Sequence, residues 1–264
     1  MTDDAKTAES ILVVDVGNTN ICLGVQDGRH LRASWRIRTD PGQTQDEFFV
    51  TLAQLMETHT VQSEGIQGAV VASVVPPLLD VVVGSIRRRL DVPVLTVGPG
   101  LKTGITIRMD NPREVGADRI VNAVAAVELC PSGAVVVDLG TATTFDCVSP
   151  DGEYLGGIIA PGLNISAEAL VRRTAKLPEV TITRPDRAIG KNTESSMQSG
   201  IFYGYVALID GLVDRIREEL EFDPVIIATG GHSAALASAS RTISRVEPGL
   251  TLLGLALIWE KNRD

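Results

Sequence analysis

The chain has 264 residues, of which 44% are hydrophobic, 22% charged and 4% aromatic, with a formal net charge of −9. Such a length allows one large domain or two of about 100–150 residues, each able to bury a core without disulfides or metal staples. The composition excludes collagen, coiled coil and disorder, and the negative charge argues against nucleic acid as a partner while leaving room for a local pocket for a small anion.

Cys22, Cys130 and Cys147 form no CxxC pair, and their odd number reads as a reduced chain with cysteines as small core hydrophobes. His30, His59 and His232 are scattered without metal-ligand spacing. Residues 1–10 are polar and acidic, so no signal peptide is expected, and a disordered N-terminal extension is. The most apolar stretch, 69–86, contains Pro76, Pro77 and Asp80, so no membrane span is expected and the expected location is cytoplasmic.

Residues 11–16 form an apolar run that reads as a buried strand entering a tight turn at Gly17-Asn18-Thr19. A second strand, 22–26, meets an Asp27-Gly28 hairpin turn. Residues 31–38 alternate, with Leu31, Ala33, Trp35 and Ile37 opposed to Arg32, Ser34, Arg36 and Arg38, the pattern of a half-exposed antiparallel strand. Thr44 to Glu47 is a capping box opening a helix whose stripe is Phe48, Leu52, Leu55 and Met56. A strand at 68–75, a helix at 78–90 and a strand at 92–97 complete this half.

The order then recurs. Strands are predicted at 134–139, 144–148 and 154–159, with a hairpin turn at Asp151-Gly152. Helices follow at 164–175 and 196–220, then a strand at 225–228, a short helix from Ser233, a strand at 244–247 and a closing helix from Leu250. Asp15 and Asp138 each begin an Asp-x-Gly turn and stand 123 residues apart (138 minus 15). A domain-sized period points to duplication of a fold rather than a solenoid. The expected architecture is two mixed α/β domains, 11–115 and 116–264, around a central cleft, with the last helix able to pack back on the first.

The chemistry-bearing residues lie in the turns. Asp15-Val16-Gly17-Asn18-Thr19-Asn20 offers a carboxylate for hydrated Mg²⁺ and small residues that expose backbone N–H groups to phosphate; it also reads as a capped tight turn. Asp138-Leu139-Gly140-Thr141-Ala142-Thr143-Thr144 repeats the pattern of carboxylate, glycine and hydroxyl, so phosphates held by two such loops are the expected ligand. Thr229-Gly230-Gly231 either lets the backbone approach a nucleotide or simply turns into a helix. In Asn111 to Arg119, Asp118 is either a helix cap or, beside Arg119, a carboxylate able to accept a hydroxyl proton. The segments 156–162 and 190–200 place small residues before helices, for packing or for anion contact. Neither a Walker A sequence nor a protein-kinase signature set is present.

Together these motifs resemble the type III pantothenate kinases, members of the superfamily of acetate kinase, sugar kinases, heat-shock ATPases and actin. The resemblance runs in family order through DVGNTN at Asp15, TVGPGLKTGI at Thr96, NPREVGADRIVNA at Asn111 and DLGTATTFD at Asp138. It continues through GGIIAPG at Gly156, TAKLP at Thr174, GKNTESSMQSG at Gly190, TGG at Thr229 and LTLLGL at Leu250. It implies duplicated actin-like (ribonuclease H-like) domains and phosphorylation of pantothenate by ATP, the first step toward coenzyme A.

Position by position, the resemblance makes Asp118 the general base and Arg119 a charge stabiliser, within a pantothenate-binding segment Gly116, Ala117, Asp118 and Arg119. Residues 15–20 resemble the ATP-phosphate loop, with Asp15 the Mg²⁺ position. Asp138 resembles the ligand of a monovalent cation, K⁺ or NH₄⁺; Thr141 resembles an ATP contact and Thr193 a pantothenate contact. A homodimer is implied. Met109 departs from the pattern, because many relatives carry Tyr two positions before the Asn-Pro pair. The competing reading is a non-enzymatic accessory factor for gene expression, a role in which some family members were first described; intact Asp15, Asp118, Arg119 and Asp138 weigh against it.

Overall fold

The computed structural model describes residues 10–174 and 176–263. In chain order the strands and helices are β1 (Ser10–Val16), β2 (Asn20–Asp27), β3 (His30–Arg38), α1 (Gln45–Thr58), β4 (Ile66–Ser73), α2 (Pro76–Leu90), β5 (Val94–Thr96), β6 (Thr106–Ile107) and α3 (Ala117–Leu129). They continue with β7 (Ala134–Leu139), β8 (Ala142–Val148), β9 (Glu153–Pro161), α4 (Leu163–Arg172), α5 (Thr193–Glu219), β10 (Val225–Thr229), α6 (Ser233–Ala237), β11 (Arg245–Val246) and α7 (Leu250–Asn262). The expected N-terminal extension lies outside the described residues except for Ser10, which opens β1.

One sheet runs β3-β2-β1-β4-β5 and the other β11-β10-β7-β8-β9-β6. In each, three antiparallel strands are followed by two parallel ones, so β9-β8-β7-β10-β11 repeats the order of the first sheet. This repeated order is the duplicated actin-like α/β architecture. β6, two residues long, extends the second sheet beside β9, and no apolar run in the sequence announces it.

The chain divides into two units. One holds the described residues through Gly104 together with Asn111–Ala125 and the chain from Thr251; the other holds Ile105–Asp110 and Ala126–Leu250. This division differs from a single cut after residue 115. Residues 105–110 go with the second unit because β6 pairs with β9 there. The start of α3 and nearly all of α7 go with the first. Gly254 lies so close to Val121 that a Cβ would stand 2.1 Å from its carbonyl oxygen, and the Trp259 ring covers Gly68.

In the first unit, β1 is central and buried on both faces, which is why it reads as an uninterrupted apolar run. Leu12 and Val14 face α1 and α2, where Phe48, Leu52, Leu78, Val82 and Ile86 complete the core. The α1 capping box forms as predicted, Thr44 accepting from the Glu47 N–H and Glu47 from the Thr44 N–H at 2.7 Å. β3 is an edge strand: Ala33 and Trp35 turn inward while Arg32, Ser34 and Arg36 are exposed. In the second unit, Val135, Val137, Phe145 and Ile226 pack against Ile201, Phe202, Ile209 and Val213 of α5.

Candidate active site

The Asp15 turn is built by the end of β1. Asp15 is half-buried, paired across the sheet with Cys22 and Ala72. The Gly17 N–H donates to the Asn20 carbonyl at 3.0 Å, and the buried Thr39 hydroxyl donates to the Gly17 carbonyl at 2.6 Å. A Cβ at residue 17 would stand 3.0 Å from the Asn20 oxygen, so glycine suits the closure. Asn18 and Thr19 are exposed at the tip. Val16 is fully buried in the core, which leaves only its backbone to meet a ligand, and its carbonyl accepts from the Val74 N–H.

The second element of the same unit is the entry to α3. Asn111 caps a 3₁₀ turn at Pro112–Glu114, its side chain accepting from the Arg113 N–H and donating to Glu114 at 2.7 Å. Val115 is buried and anchors the loop. Asp118 then sits in the first turn of α3, half-buried, its Oδ1 accepting from the Arg119 N–H at 2.8 Å. Gly116 makes room for it, since a Cβ there would be 2.6 Å from Asp118 Oδ1. The sequence left Asp118 as a cap or a base, and the carboxylate does satisfy a helix-start N–H while remaining partly open to solvent.

The second unit gathers its own group. Asp138 is the penultimate residue of β7, with Thr144 of β8 opposite on one side and Thr229 of β10 on the other. Gly230, at φ +88°, brings its backbone so close that a Cβ would stand 2.7 Å from Leu139 main-chain atoms and 2.8 Å from Asp138 Oδ1. Gly162 likewise abuts the Thr141 carbonyl, where a Cβ would come within 1.9 Å. The Asp-Gly turn, the Thr229-Gly230 pair and the end of the 156–162 segment therefore meet around Asp138 and Thr141. Two of these glycines are explained by close approach and Gly230 by its positive φ as well.

Thr193 opens α5 after its N-cap Asn192, which accepts from the Ser195 N–H at 2.8 Å. It is exposed on the rim of an open groove of about 1130 Å³ between α4 and α5, whose walls include Leu170, Leu177, Met197 and Tyr205. Pro161 lines the same groove, next to the Gly162 that packs on Thr141. Met109 lies over Gly156, its Sδ 3.1 Å from where a Cβ would be, and Gly156 has φ +115°. Near Thr229-Gly230, burial lowers the pKa of His232, whose Nε2 is 3.2 Å from Asn164 Oδ1.

Residues 11–215 match the family model described as type III pantothenate kinase. The chain belongs to that family. It is 51% identical over 253 residues to a type III pantothenate kinase of Anaeromyxobacter sp. (strain Fw109-5), covering 96% of this chain and 100% of that one. It is 49% identical over 254 residues to the type III pantothenate kinase of Geobacillus sp. (strain WCH70), covering 96% and 98%. Among solved structures it is similar in fold to a Baf family protein of Campylobacter jejuni, with a TM-score of 0.59, 19% identity, and 96% and 99% of the two chains covered.

For a type III pantothenate kinase, the donor chemistry of these turns suits the implied ions. Among the described residues no group of three or more His, Cys, Asp or Glu side chains forms a metal cage. A single carboxylate such as Asp15 suits Mg²⁺, which keeps waters and binds through phosphates. Asp138 and Thr144 stand opposite each other on β7 and β8, and both carry oxygen donors of the kind a monovalent cation takes. Among the described residues no helix is long and apolar enough to cross a membrane. Thr144 belongs to the loop expected to meet phosphate, whereas Asp146 carries no role in the sequence motifs; the alternation of β8, which sets Asp146 and Thr144 on the Asp138 face, is the signal that points to it.

Proposed function

We propose that this chain is an ATP-dependent pantothenate kinase that forms 4'-phosphopantothenate, the first step of coenzyme A biosynthesis. The observation that carries the proposal is the Gly116–Asp118 pair, a carboxylate held at a helix start by one oxygen in a chain of this family. A primary alcohol is a weak nucleophile near neutral pH, so a carboxylate within hydrogen-bond reach is what the reaction needs.

In the proposed reaction the pantothenate hydroxyl oxygen bonds to the γ-phosphorus of ATP as the bond to the β-phosphate oxygen breaks, releasing ADP. Asp118 takes the hydroxyl proton on Oδ2, since Oδ1 is fixed by the Arg119 N–H. Arg119 balances charge on substrate or transferring phosphoryl, and Gly116 and Ala117 contact pantothenate. The main chain of Asp15, Val16, Gly17, Asn18, Thr19 and Asn20 holds ATP phosphates, with Thr141 a further ATP contact. Asp15 would hold Mg²⁺ and Asp138 a K⁺ or NH₄⁺ ion; bound there, these ions neutralise phosphate charge. Thr193 is assigned to pantothenate, and the groove between α4 and α5, with Leu170 exposed on it, to homodimer contact. A soluble substrate and ATP fit a cytoplasmic enzyme.

Incubation with ATP and pantothenate, with and without K⁺, tests this, product being identified by mass spectrometry. A new species heavier by one phosphoryl group and dependent on both substrates is expected. Its absence with every nucleotide tried would favour a non-enzymatic accessory role.

A further inference from the structure

Asp146 is 0% exposed, yet it is a carboxylate in the middle of β8. Its neighbours along the strand, Phe145 and Cys147, face the core of the unit, so Asp146 and Thr144 share the opposite face. The β7–β8 register sets Thr144 opposite Asp138 and Asp146 opposite Val136. Residues directly opposite on an antiparallel pair share a face with Cβ atoms about 4.5–5.5 Å apart, so Asp138, Thr144 and Asp146 form one continuous polar row.

Two hydroxyls are aimed at the buried carboxylate. Tyr154, itself fully buried, donates to Oδ1 at 2.7 Å, and Thr144 donates to Oδ2 at 3.1 Å. On β9, Gly157 stands opposite Asp146, and a bulge after Cys147 brings Tyr154 into register with Val148 on that face. An apolar side chain would fill this space at lower desolvation cost, as Val136 and Val148 do beside it. The carboxylate does something that an apolar group cannot. A threonine hydroxyl has one proton and two lone pairs, and once its proton is committed to Asp146 it can only accept on its other side.

We propose that Asp146 is a positioning residue for phosphoryl transfer. By holding the Thr144 proton, it turns the Thr144 lone pairs toward whatever Asp138 binds, so that Asp138 and Thr144 present acceptors alone and select a cation over a hydrogen-bond donor's partner such as phosphate. The proposal rests on the assignment of Asp138 to a monovalent cation made above.

The test compares wild type with Asp146→Asn, Thr144→Val and Thr144→Ser, reading the K⁺ concentration for half-maximal rate and, without turnover, the rise in Tm on adding K⁺ in place of Li⁺. Asp146→Asn and Thr144→Val are expected to raise half-saturating K⁺ about tenfold and to lose the K⁺-dependent rise in Tm. KM for pantothenate should stay unchanged, Thr144→Ser should behave as wild type, and the double variant should be no worse than either single one. A folded Asp146→Asn with the wild-type K⁺ response would overturn the proposal. If that variant loses its cooperative transition, Thr144→Val decides in the same way, because it leaves the buried carboxylate in place. A wild type that phosphorylates pantothenate without regard to K⁺ refutes both the cation assignment and this proposal, while the kinase function stands. A wild type inactive toward pantothenate refutes the function, and the Tm measurement then decides the role of Asp146.

Discussion

Asp118 Oδ1 occupies the space that a side chain on Gly116 would need, standing 2.6 Å from the position of a Cβ there. The same oxygen accepts the Arg119 N–H, so any group at residue 116 pushes on a carboxylate already tied to the helix. Gly116→Ala is therefore expected to lower kcat about 10- to 100-fold, since misplacing a catalytic group by roughly an ångström costs up to about a hundredfold. MgATP affinity, measured by calorimetry, should change less than about twofold if displacement of the carboxylate is the cause. An alanine variant with wild-type kcat would show that Asp118 is not held where the reaction needs it.

Gly230 couples β10 to Asp138. Its φ is +88°, and a Cβ there would fall 2.7 Å from Leu139 main-chain atoms, which leaves no room for a methyl group. Gly230→Ala is expected to destabilise the protein by about 1–3 kcal/mol and to weaken MgATP binding. Urea unfolding and calorimetry read the two effects separately. Unchanged stability would mean that this turn relaxes freely.

Gly68 and Trp259 make the same kind of contact between β4 and α7, a Cβ at residue 68 falling 1.9 Å from the indole ring. Gly68→Ala should cost about 1–3 kcal/mol from overpacking. Adding Trp259→Leu should restore part of that loss, whereas additive losses would place the strain elsewhere.

Asp210 on α5 ties down the 240–242 segment. It accepts from the hydroxyls of Ser240 at 2.6 Å and Thr242 at 2.8 Å, and from the N–H groups of Arg241 and Thr242 at 3.2 Å. Burial pushes its pKa up, but these hydrogen bonds outweigh burial and hold it below the usual aspartate value. A depressed folded-state pKa adds stability that is complete above the unfolded value, about 4, and is lost as pH falls through the folded one. Asp210→Asn should thus be less stable than wild type at pH 7, with the gap narrowing in acid. Urea midpoints at pH 7 and about pH 3 check this; a constant gap would mean that the carboxylate charge contributes nothing.

The sequence made some parts of this molecule legible and hid others, for physical reasons. β1 and β7 could be read because both are buried on two faces and appear as apolar runs, and β3 because its alternation marks an edge. The Thr44–Glu47 box located the start of α1 for the same local reason. α7 is apolar nearly all round, so no stripe reveals which sheet it covers, and its packing, including the contacts with Gly68 and Val121, is what assigns it to the first unit. β6 is too short for any period. At the candidate site, Asp15, Asp118 and Asp138 stood out as carboxylates in turns, but the reason for Gly116 depends on an Asp118 rotamer, and Val16 proved to be core.

The proposed base is tested most directly by the rate of phosphopantothenate formation at saturating ATP and pantothenate, compared between wild type and Asp118→Asn, with MgATP affinity measured on the same samples. Asparagine preserves the shape and the Oδ1 contact to the Arg119 N–H but cannot take the hydroxyl proton. The rate should fall about 10²- to 10⁴-fold with MgATP affinity retained. An Asp118→Asn enzyme as fast as wild type would contradict the assignment of Asp118 as the base.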